Sequence, residues 1–230
     1  MTKNIEVLAH SSIRIKEEKD GQERYIYADP FQVEGQYGDA DVILVTHDHF
    51  DHFSPEDIAK VCRKDSVLVV PVNMAEKAQE AKDLVGEIVT VAPGETVQIE
   101  SAQSRGGAFD PLKIDAVPAY NVGKQFHPKE AGWVGYIVYA GGKSIYIAGD
   151  TDVTEDAKSV KCDIALLPVG GTYTTTAAQA AELAAAIRPA AAVPTHYGSI
   201  VGKPEEAEEF ARAVKELTGG EVPVEIKMEF

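Results

Sequence analysis

The chain has 230 residues, which is long enough to bury a substantial core, and we expect a single domain that spans residues 1–230. Its 37 acidic and 22 basic residues give a formal charge of −15, and no run of Lys or Arg breaks this balance. Proteins that bind the phosphate backbone of nucleic acids need a basic surface, so the composition argues against that class.

The two cysteines and the apolar runs indicate where the protein works. Cys62 and Cys162 lie far apart and form no CxxC pair, so neither a disulfide framework nor a cysteine zinc site is predicted. No stretch has signal-peptide character or approaches the roughly 18 apolar residues of a membrane span. We therefore expect a cytoplasmic protein with no membrane insertion and, from its charge, no nucleic-acid partner. The sequence leaves homo-oligomerisation open.

Short apolar runs separated by turns predict a series of strands. In chain order these are residues 4–9, 11–15, 24–28, 42–46, 67–72, 88–91, 97–99 and 112–117. Two β-rich runs then flank Gly141 and Gly142, which is typical of a hairpin. Residues 163–169 and 190–195 are largely apolar and are predicted to be strands buried on both faces.

Capping and breaking residues predict four helices between these strands. They run from Ser54 and Pro55 to about Arg63, from Asn73 with Glu76 to about Leu84, from Thr176 with Gln179 to Pro189, and from Pro204 to Gly219. This order is neither purely all-β nor a strict βαβ alternation. It predicts an α/β fold with mixed sheets that are covered by helices on their outer faces.

The segment T-H-D-H-F-D-H, residues 46–52, holds three of the chain's six histidines. His47 and His49 directly follow a predicted strand, and a spacing of two points both imidazoles to the same side. Asp51 and His52 follow where the chain bends towards the next helix. Imidazoles and carboxylates crowded in this way gain little unless a cation holds them together, so the segment predicts a metal site.

Two further candidate ligands also follow buried strands. Asp150 ends the apolar run that precedes it, in the sequence A-G-D-T-D, and His196 ends another, in P-T-H-Y-G. Loops at the ends of strands are where α/β proteins usually build their sites. A set of N and O donors without thiolate suits Zn, Mn or Fe in the divalent state.

These motifs resemble those of the metallo-β-lactamase superfamily. T-H-D-H-F-D-H resembles its H-x-H-x-D-H signature, and G-D-T (149–151) and the His196 segment resemble its later metal motifs, in the right order. The opening L-A-H-S-S-I-R-I and Y-A-D-P-F are similar to the branch that contains L-ascorbate 6-phosphate lactonase and N-acyl-phosphatidylethanolamine phospholipase D. The resemblance implies a four-layer αβ/βα sandwich, with two mixed sheets face to face, helices outside and metals at one sheet edge.

The resemblance also implies a set of ligands. His47 and His49 would bind one metal with a third histidine, Asp51, His52 and His196 would bind the second metal, and Asp150 would bridge the two. The third histidine is irregular here, because Tyr120 and Asn121 follow the strand that leads towards G-D-T. Either His127 completes the first site, which we favour, or Asn121 or water takes its place.

Two more residues are predicted near the metals. His10 stands where the resembled branch has a histidine close to the metal centre, so we expect it to contact the ligands from outside. Tyr173 lies in G-G-T-Y-T-T-T, between a buried strand and a capped helix, and either lines the substrate pocket or belongs to a plain connecting loop. A substrate phosphate or carboxylate would rest on the start of that helix.

The implied chemistry is hydrolysis at a dinuclear centre of the Zn or Mn type, with Fe as a further option. Two divalent cations about 3.5 to 4 Å apart would hold a hydroxide that attacks an ester, lactone or phosphoester bond of a small molecule. Asp51 would align that hydroxide and carry its proton to the leaving group. The alternative is a catalytically degenerate module that binds metal and ligand without turnover.

Overall fold

The computed structural model describes residues 1–100, 107, 109–228 and 230. The first half of the chain contributes β1 (Ile5–Ala9), β2 (Ser12–Lys19), β3 (Gln22–Ala28), β4 (Ala40–Leu44), α1 (Pro55–Val61), β5 (Cys62–Pro71) and β6 (Glu87–Val91). The second half contributes β7 (Thr96–Ile99), β8 (Leu112–Pro118), β9 (Val134–Ala140), β10 (Lys143–Ile147), α2 (Glu155–Lys158), β11 (Ile164–Pro168), α3 (Ala177–Ile187), β12 (Ala191–Thr195) and α4 (Glu205–Thr218).

The strands form two six-stranded mixed sheets, with the orders β1-β2-β3-β4-β5-β6 and β12-β11-β10-β9-β8-β7. In the first sheet β1 to β3 are antiparallel, and β3 to β6 are parallel. In the second sheet β7 to β10 are antiparallel, and β10 to β12 are parallel. Each half of the chain therefore builds one sheet that starts with antiparallel pairs and ends with parallel ones.

The side chains along β4 alternate between two layers of the hydrophobic core. Val42 and Leu44 pack in the cluster between the two sheets, whereas Ile43 and Val45 pack in a second cluster on the outer face of the first sheet. Successive residues of a strand point to opposite faces, so an unbroken apolar run serves both layers. The α/β class and the face-to-face sheets predicted from the sequence are confirmed.

Helices close the outer faces of the sandwich. Ile58 and Val61 of α1 are buried in the outer cluster of the first sheet. On the second sheet α3 and α4 pack against each other, and Leu183 and Phe210 are fully buried there. Among the described residues, no helix combines the length and the apolarity that crossing a bilayer requires.

The predicted helix from Asn73 to about Leu84 is wrong. The segment forms two short 3₁₀ helices, Val72–Met74 and Lys77–Ala81, whose amides bond to carbonyls three residues back. The side chain of Asn73 does not cap a helix, because it donates a hydrogen bond to the carbonyl of Ala131 across the edge of the sandwich. Tertiary contacts here override the local capping pattern.

The other predicted helices and strands are present, with boundaries that differ from the prediction by a few residues. The hairpin at Gly141 and Gly142 is confirmed, and both glycines have the positive φ that such a turn needs. The capping box of Thr176 and Gln179 at the start of α3 is also confirmed. The short helix α2, capped by the side chain of Thr154, was not predicted.

The two sheets are joined at one edge by hydrogen bonds. The buried hydroxyl of Tyr136 on β9 donates to the carbonyl of Val45, at 2.8 Å, just beyond β4. The amide of Val134 donates to the carbonyl of Thr46 at 3.2 Å, and the amide of His196 donates to the carbonyl of His10 at 2.9 Å. Because parallel strands share their carboxyl-end edge, this is also where the candidate ligands come together.

We expect Tyr136→Phe to lower the free energy of unfolding by about 1–2 kcal/mol, since it removes one buried hydrogen bond with little change of shape. Tyr139→Phe is the matched control. The Tyr139 hydroxyl donates a hydrogen bond to Asp115, but Tyr139 is 37% exposed, so this bond is accessible to water. The control should change stability by less than about 0.5 kcal/mol. Urea unfolding of both variants measures the difference, and equal losses would contradict this role of Tyr136.

Candidate metal centre

All six histidines of the chain gather at this edge, together with two aspartates. They form two groups of potential metal donors, and within each group the donor atoms lie within 4.8 Å of one another. We call them the first group (His47, His49, His127 and Asp150) and the second group (His10, Asp51, His52 and His196). Seven of these eight side chains are buried, and His49 is half-buried.

The first group is built around two imidazole nitrogens that converge. Nε2 of His47 lies 3.1 Å from Nδ1 of His49, so the spacing of two does bring both rings to one point. The ring of His127 lies 4.2 Å from that of His47 and 5.1 Å from that of His49, between ring centroids. Trp133 packs on the same rings, with its centroid 4.3 Å from that of His127.

Asn121 organises the loop that carries His127. Its amide donates to the carbonyl of His127 at 2.7 Å, and its side chain donates to the carbonyls of Phe126 at 3.0 Å and Tyr173 at 2.6 Å. His127 itself has a left-handed backbone, with φ of 63°. The structure thus places His127 with the first group, and Asn121 behind it as a support of the loop.

The second group centres on two imidazoles that face two carboxylates. Nε2 of His52 and Nε2 of His196 lie 3.2 and 3.1 Å from Oδ1 of Asp150, and each lies 3.8 Å from Oδ2 of Asp51. Nε2 of His10 lies 3.3 Å from Oδ2 of Asp51, and the ring of His10 lies 4.0 Å from that of His196 between ring centroids. His10 therefore contacts the group from the side of Asp51 and His196.

Asp150 lies between the two groups. While its Oδ1 faces His52 and His196, its Oδ2 lies 3.9 Å from Nε2 of His47. Gly149 allows this approach, because its φ is 63° and a Cβ there would lie 3.0 Å from Cβ of Thr46. The sharp turn brings the carboxylate of the second sheet over the histidines of the first.

Asp29 is a functional candidate that the pattern analysis did not single out. Its Oδ2 lies 2.8 Å from Nδ1 of His52, and it accepts hydrogen bonds from the hydroxyl and the amide of Thr46. A carboxylate on the far nitrogen fixes the orientation of a ligand histidine and raises its basicity. The available signal was the position of Asp29 after β3, within Y-A-D-P-F.

Burial and neighbouring charges set the protonation of the donors in the metal-free protein. Burial lowers the pKa of His127 to about 3 and that of His47 well below its usual value, so both are neutral, as metal ligands must be. Burial opposes ionisation of Asp150, but His196 and His52 outweigh it and hold the pKa of this carboxyl well below its usual value. Burial also opposes a charge on His52, but Asp150 and Asp29 outweigh it and raise the pKa of this ring well above 6.5.

The unpartnered polar atoms fit a pair of metal ions. Both ring nitrogens of His10, His127 and His196, Nε2 of His52 and Oδ1 of Asp150 are buried and make no aligned hydrogen bond. Buried polar groups normally have partners, and leaving one unmade costs about 1–3 kcal/mol. A divalent cation in each group would give a partner to one ring nitrogen each of His127 and His196, to Nε2 of His52 and to Oδ1 of Asp150. The N and O donor set suits such ions.

Other residues named from the sequence lie around this centre. Tyr173 lines a cleft beside the metal donors, and 41% of its surface is exposed. Asp48 does not orient an imidazole, because its side chain is 41% exposed and turns towards Lys77. Asp48 therefore faces solvent.

Known protein families and sequences include relatives of this chain. The family model of a beta-lactamase superfamily domain matches residues 4–196. A UPF0173 metal-dependent hydrolase of Methanopyrus kandleri is 33% identical over an alignment of 189 residues that covers 78% of this chain and 76% of the relative. The range matched by the family model includes every residue of the two groups.

Solved structures share the architecture. A novel metallo hydrolase from the hyperthermophilic archaeon Ignicoccus hospitalis has a TM-score of 0.71 at 22% identity, over 98% of this chain and 95% of that one. The metallo-beta-lactamase fold protein YhfI from Bacillus subtilis has a TM-score of 0.65 at 12% identity, over 96% and 90% of the two chains. At these identities the likeness shows the fold.

We expect His127→Ala to lower the metal content of the protein from about two ions per chain to about one, because it removes one of three imidazoles from the first group. The matched control is Asp48→Asn, which changes a solvent-facing side chain in the same metal region. Elemental analysis after dialysis against metal-free buffer measures both variants. A His127→Ala protein that keeps its full metal content would exclude His127 as a ligand.

Proposed function

Because the chain belongs to the metallo-β-lactamase superfamily and is a metal-dependent hydrolase, we propose that it cleaves an ester, lactone or phosphoester bond of a small molecule at a dinuclear centre of the Zn or Mn type. The observation that carries this proposal is the position of Asp150, whose two oxygens face the two histidine groups. One carboxylate shared by two sets of donors is what a pair of cations requires.

The proposed ligands follow from the distances. His47, His49 and His127 would hold the first ion, Asp51, His52 and His196 would hold the second, and Asp150 would bridge them. His10 is assigned the role of holding Asp51, because its Nε2 lies 3.3 Å from Oδ2 of that carboxylate. Two such ions would supply an activated water near neutral pH and polarise the bond under attack.

Asp51 is the proposed catalytic residue. It lies at the cleft, and although burial opposes its ionisation, His10 and His52 outweigh burial and lower its pKa, so Asp51 is a carboxylate at neutral pH. In that state Oδ2 can accept a proton from the attacking water and return it to the leaving group. His10, 3.3 Å away, would hold the carboxylate in place.

The other side chains have supporting roles. Asp29 would orient His52 through its Nδ1, and Asn121 would keep His127 in position through the backbone of its loop. The irregular third histidine was the reason to consider a degenerate binding module. The position of His127 beside His47 and His49 supports turnover over that alternative.

Two further features belong to this proposal. Residues 1–230 would act as one hydrolase domain, since His47 follows a strand of the first sheet and Asp150 and His196 follow strands of the second. Cys62 and Cys162 are free, which supports a reducing, cytoplasmic location.

We expect Asp51→Asn to lower kcat/KM by about a hundredfold to ten-thousandfold, the range that loss of a general acid–base group produces. The assay uses protein stripped by a chelator and reloaded with Mn or Zn, on a panel of lactones, acyl thioesters and phosphodiesters. Metal content is measured in the same samples, and Asp48→Asn serves as the control that keeps activity. If the wild-type protein shows only trace hydrolysis and the Asp51→Asn variant shows the same rate, the binding module is favoured.

A further inference from the structure

The cleft beside the metal donors has a volume of about 270 Å³. Asp51, Asp150, His49 and His196 form one wall of it, so a molecule in the cleft touches the proposed centre directly. The rest of the lining is apolar or aromatic and consists of Phe50, Phe126, Tyr173 and Ile200. We call these four residues the apolar rim.

The apolar rim is exposed to an unusual degree. Phe50 is 65% exposed, Phe126 47%, Ile200 42% and Tyr173 41%, although all four are large apolar or aromatic side chains. Large apolar side chains that surround a few convergent polar groups mark a ligand site, because burying them on binding gains about 25 cal/mol per Å². The rings of Phe126 and Tyr173 meet edge to face at 5.6 Å, which gives this side of the cleft a fixed shape.

The cleft lacks the groups that usually hold a phosphate. Of the residues that the structure describes, none of those lining the cleft is Lys or Arg. The neighbouring Lys124 is bound to Asp152 and to the carbonyl of Thr174, and Lys77 is bound at Asp48. Phosphoryl groups are commonly held by such cations in charge-assisted hydrogen bonds.

The start of α3 does not supply an anion site either. The sequence suggested that a substrate phosphate or carboxylate rests there. In the structure the amide of Gln179 donates to the side chain of Thr176, and the amide of Thr176 donates to the side chain of Gln179. This capping box already occupies donors that an anion would use.

We infer that the substrate is a neutral carboxylic ester or lactone whose acyl part is apolar and lies against the apolar rim, an inference that rests on the proposed function. Water adds to the acyl carbon, and the bond from that carbon to the ester oxygen breaks. The proton that the water loses passes through Asp51 to the leaving oxygen. The products are an alcohol and a carboxylic acid, which releases its own proton to solvent and becomes a carboxylate; a lactone gives the corresponding hydroxy acid.

The kinetic test uses protein reloaded with Mn or Zn and three p-nitrophenyl esters, the acetate, the butyrate and the hexanoate. We expect kcat/KM to rise about tenfold from acetate to butyrate, as the burial of two methylenes predicts. The ratio should fall to about twofold in Phe126→Ala and in Ile200→Ala. Val122→Ala is the matched control, since Val122 is 65% exposed on the same loop as Phe126 but does not line the cleft.

A phosphodiester serves as the competing substrate class in this test. The rate enhancement over the uncatalysed reaction is compared between the butyrate ester and bis(p-nitrophenyl) phosphate. A larger enhancement for the phosphodiester would overturn the inference while leaving the proposed function intact. A chain-length ratio near one, or a ratio that the rim variants leave unchanged, would overturn it as well.

Binding separates a failure of this inference from a failure of the proposed function. Hexanamide, a neutral acyl probe, is titrated into the wild-type protein while the fluorescence of Trp133 is followed, since Trp133 is the only tryptophan and packs on His127. If no ester is hydrolysed, the proposed function fails, but binding of hexanamide that Phe126→Ala weakens about tenfold and Val122→Ala does not still supports the acyl cleft. No binding of hexanamide at millimolar concentration would overturn it.

Discussion

The constraint on which this structure depends is the need of closely packed imidazoles and carboxylates for positive charge between them. Nε2 of His52 and of His196 lie near the same oxygen of Asp150, at 3.2 and 3.1 Å, without an aligned hydrogen bond. Buried polar groups left in this state destabilise a fold by about 1–3 kcal/mol each. Bound cations turn the same atoms into ligands, so metal binding should stabilise the folded protein as well as provide its chemistry.

The backbone of the site carries strain that the sandwich has to hold. Seven described residues other than glycine have positive φ, and four of them, His10, Asp29, His127 and His196, belong to the centre or touch it. This conformation is uncommon outside glycine, although His and Asp adopt it more readily than most residues. Backbone hydrogen bonds hold these residues: the amide of His196 donates to the carbonyl of His10, the amide of Asp29 to the carbonyl of Leu44, and the amide of Asn121 to the carbonyl of His127. The same backbone hydrogen bonds therefore contribute both to the stability of the sheet edge and to the geometry of the site.

Local patterns in the sequence predicted most of the fold and part of the centre. The alternation within apolar runs and the spacing of His47 and His49 depend only on neighbouring residues, so the strands and the first pair of donors could be read directly. The position of His127 could not, because it depends on Asn121 and on a loop packed against distant strands. The helix wrongly predicted at Asn73 and the failure to predict Asp29 as the partner of His52 have the same origin. In both cases contacts between segments that are distant in sequence determine the structure.

The central claim is a pair of cations bridged by Asp150. Anomalous scattering from crystals grown with Mn or Zn tests it most directly, because the metal edge identifies the ions independently of activity. We expect two peaks about 3.5–4 Å apart, one beside His47, His49 and His127 and the other beside His52 and His196, with the Asp150 carboxylate between them. A single peak, or peaks away from these side chains, would contradict it.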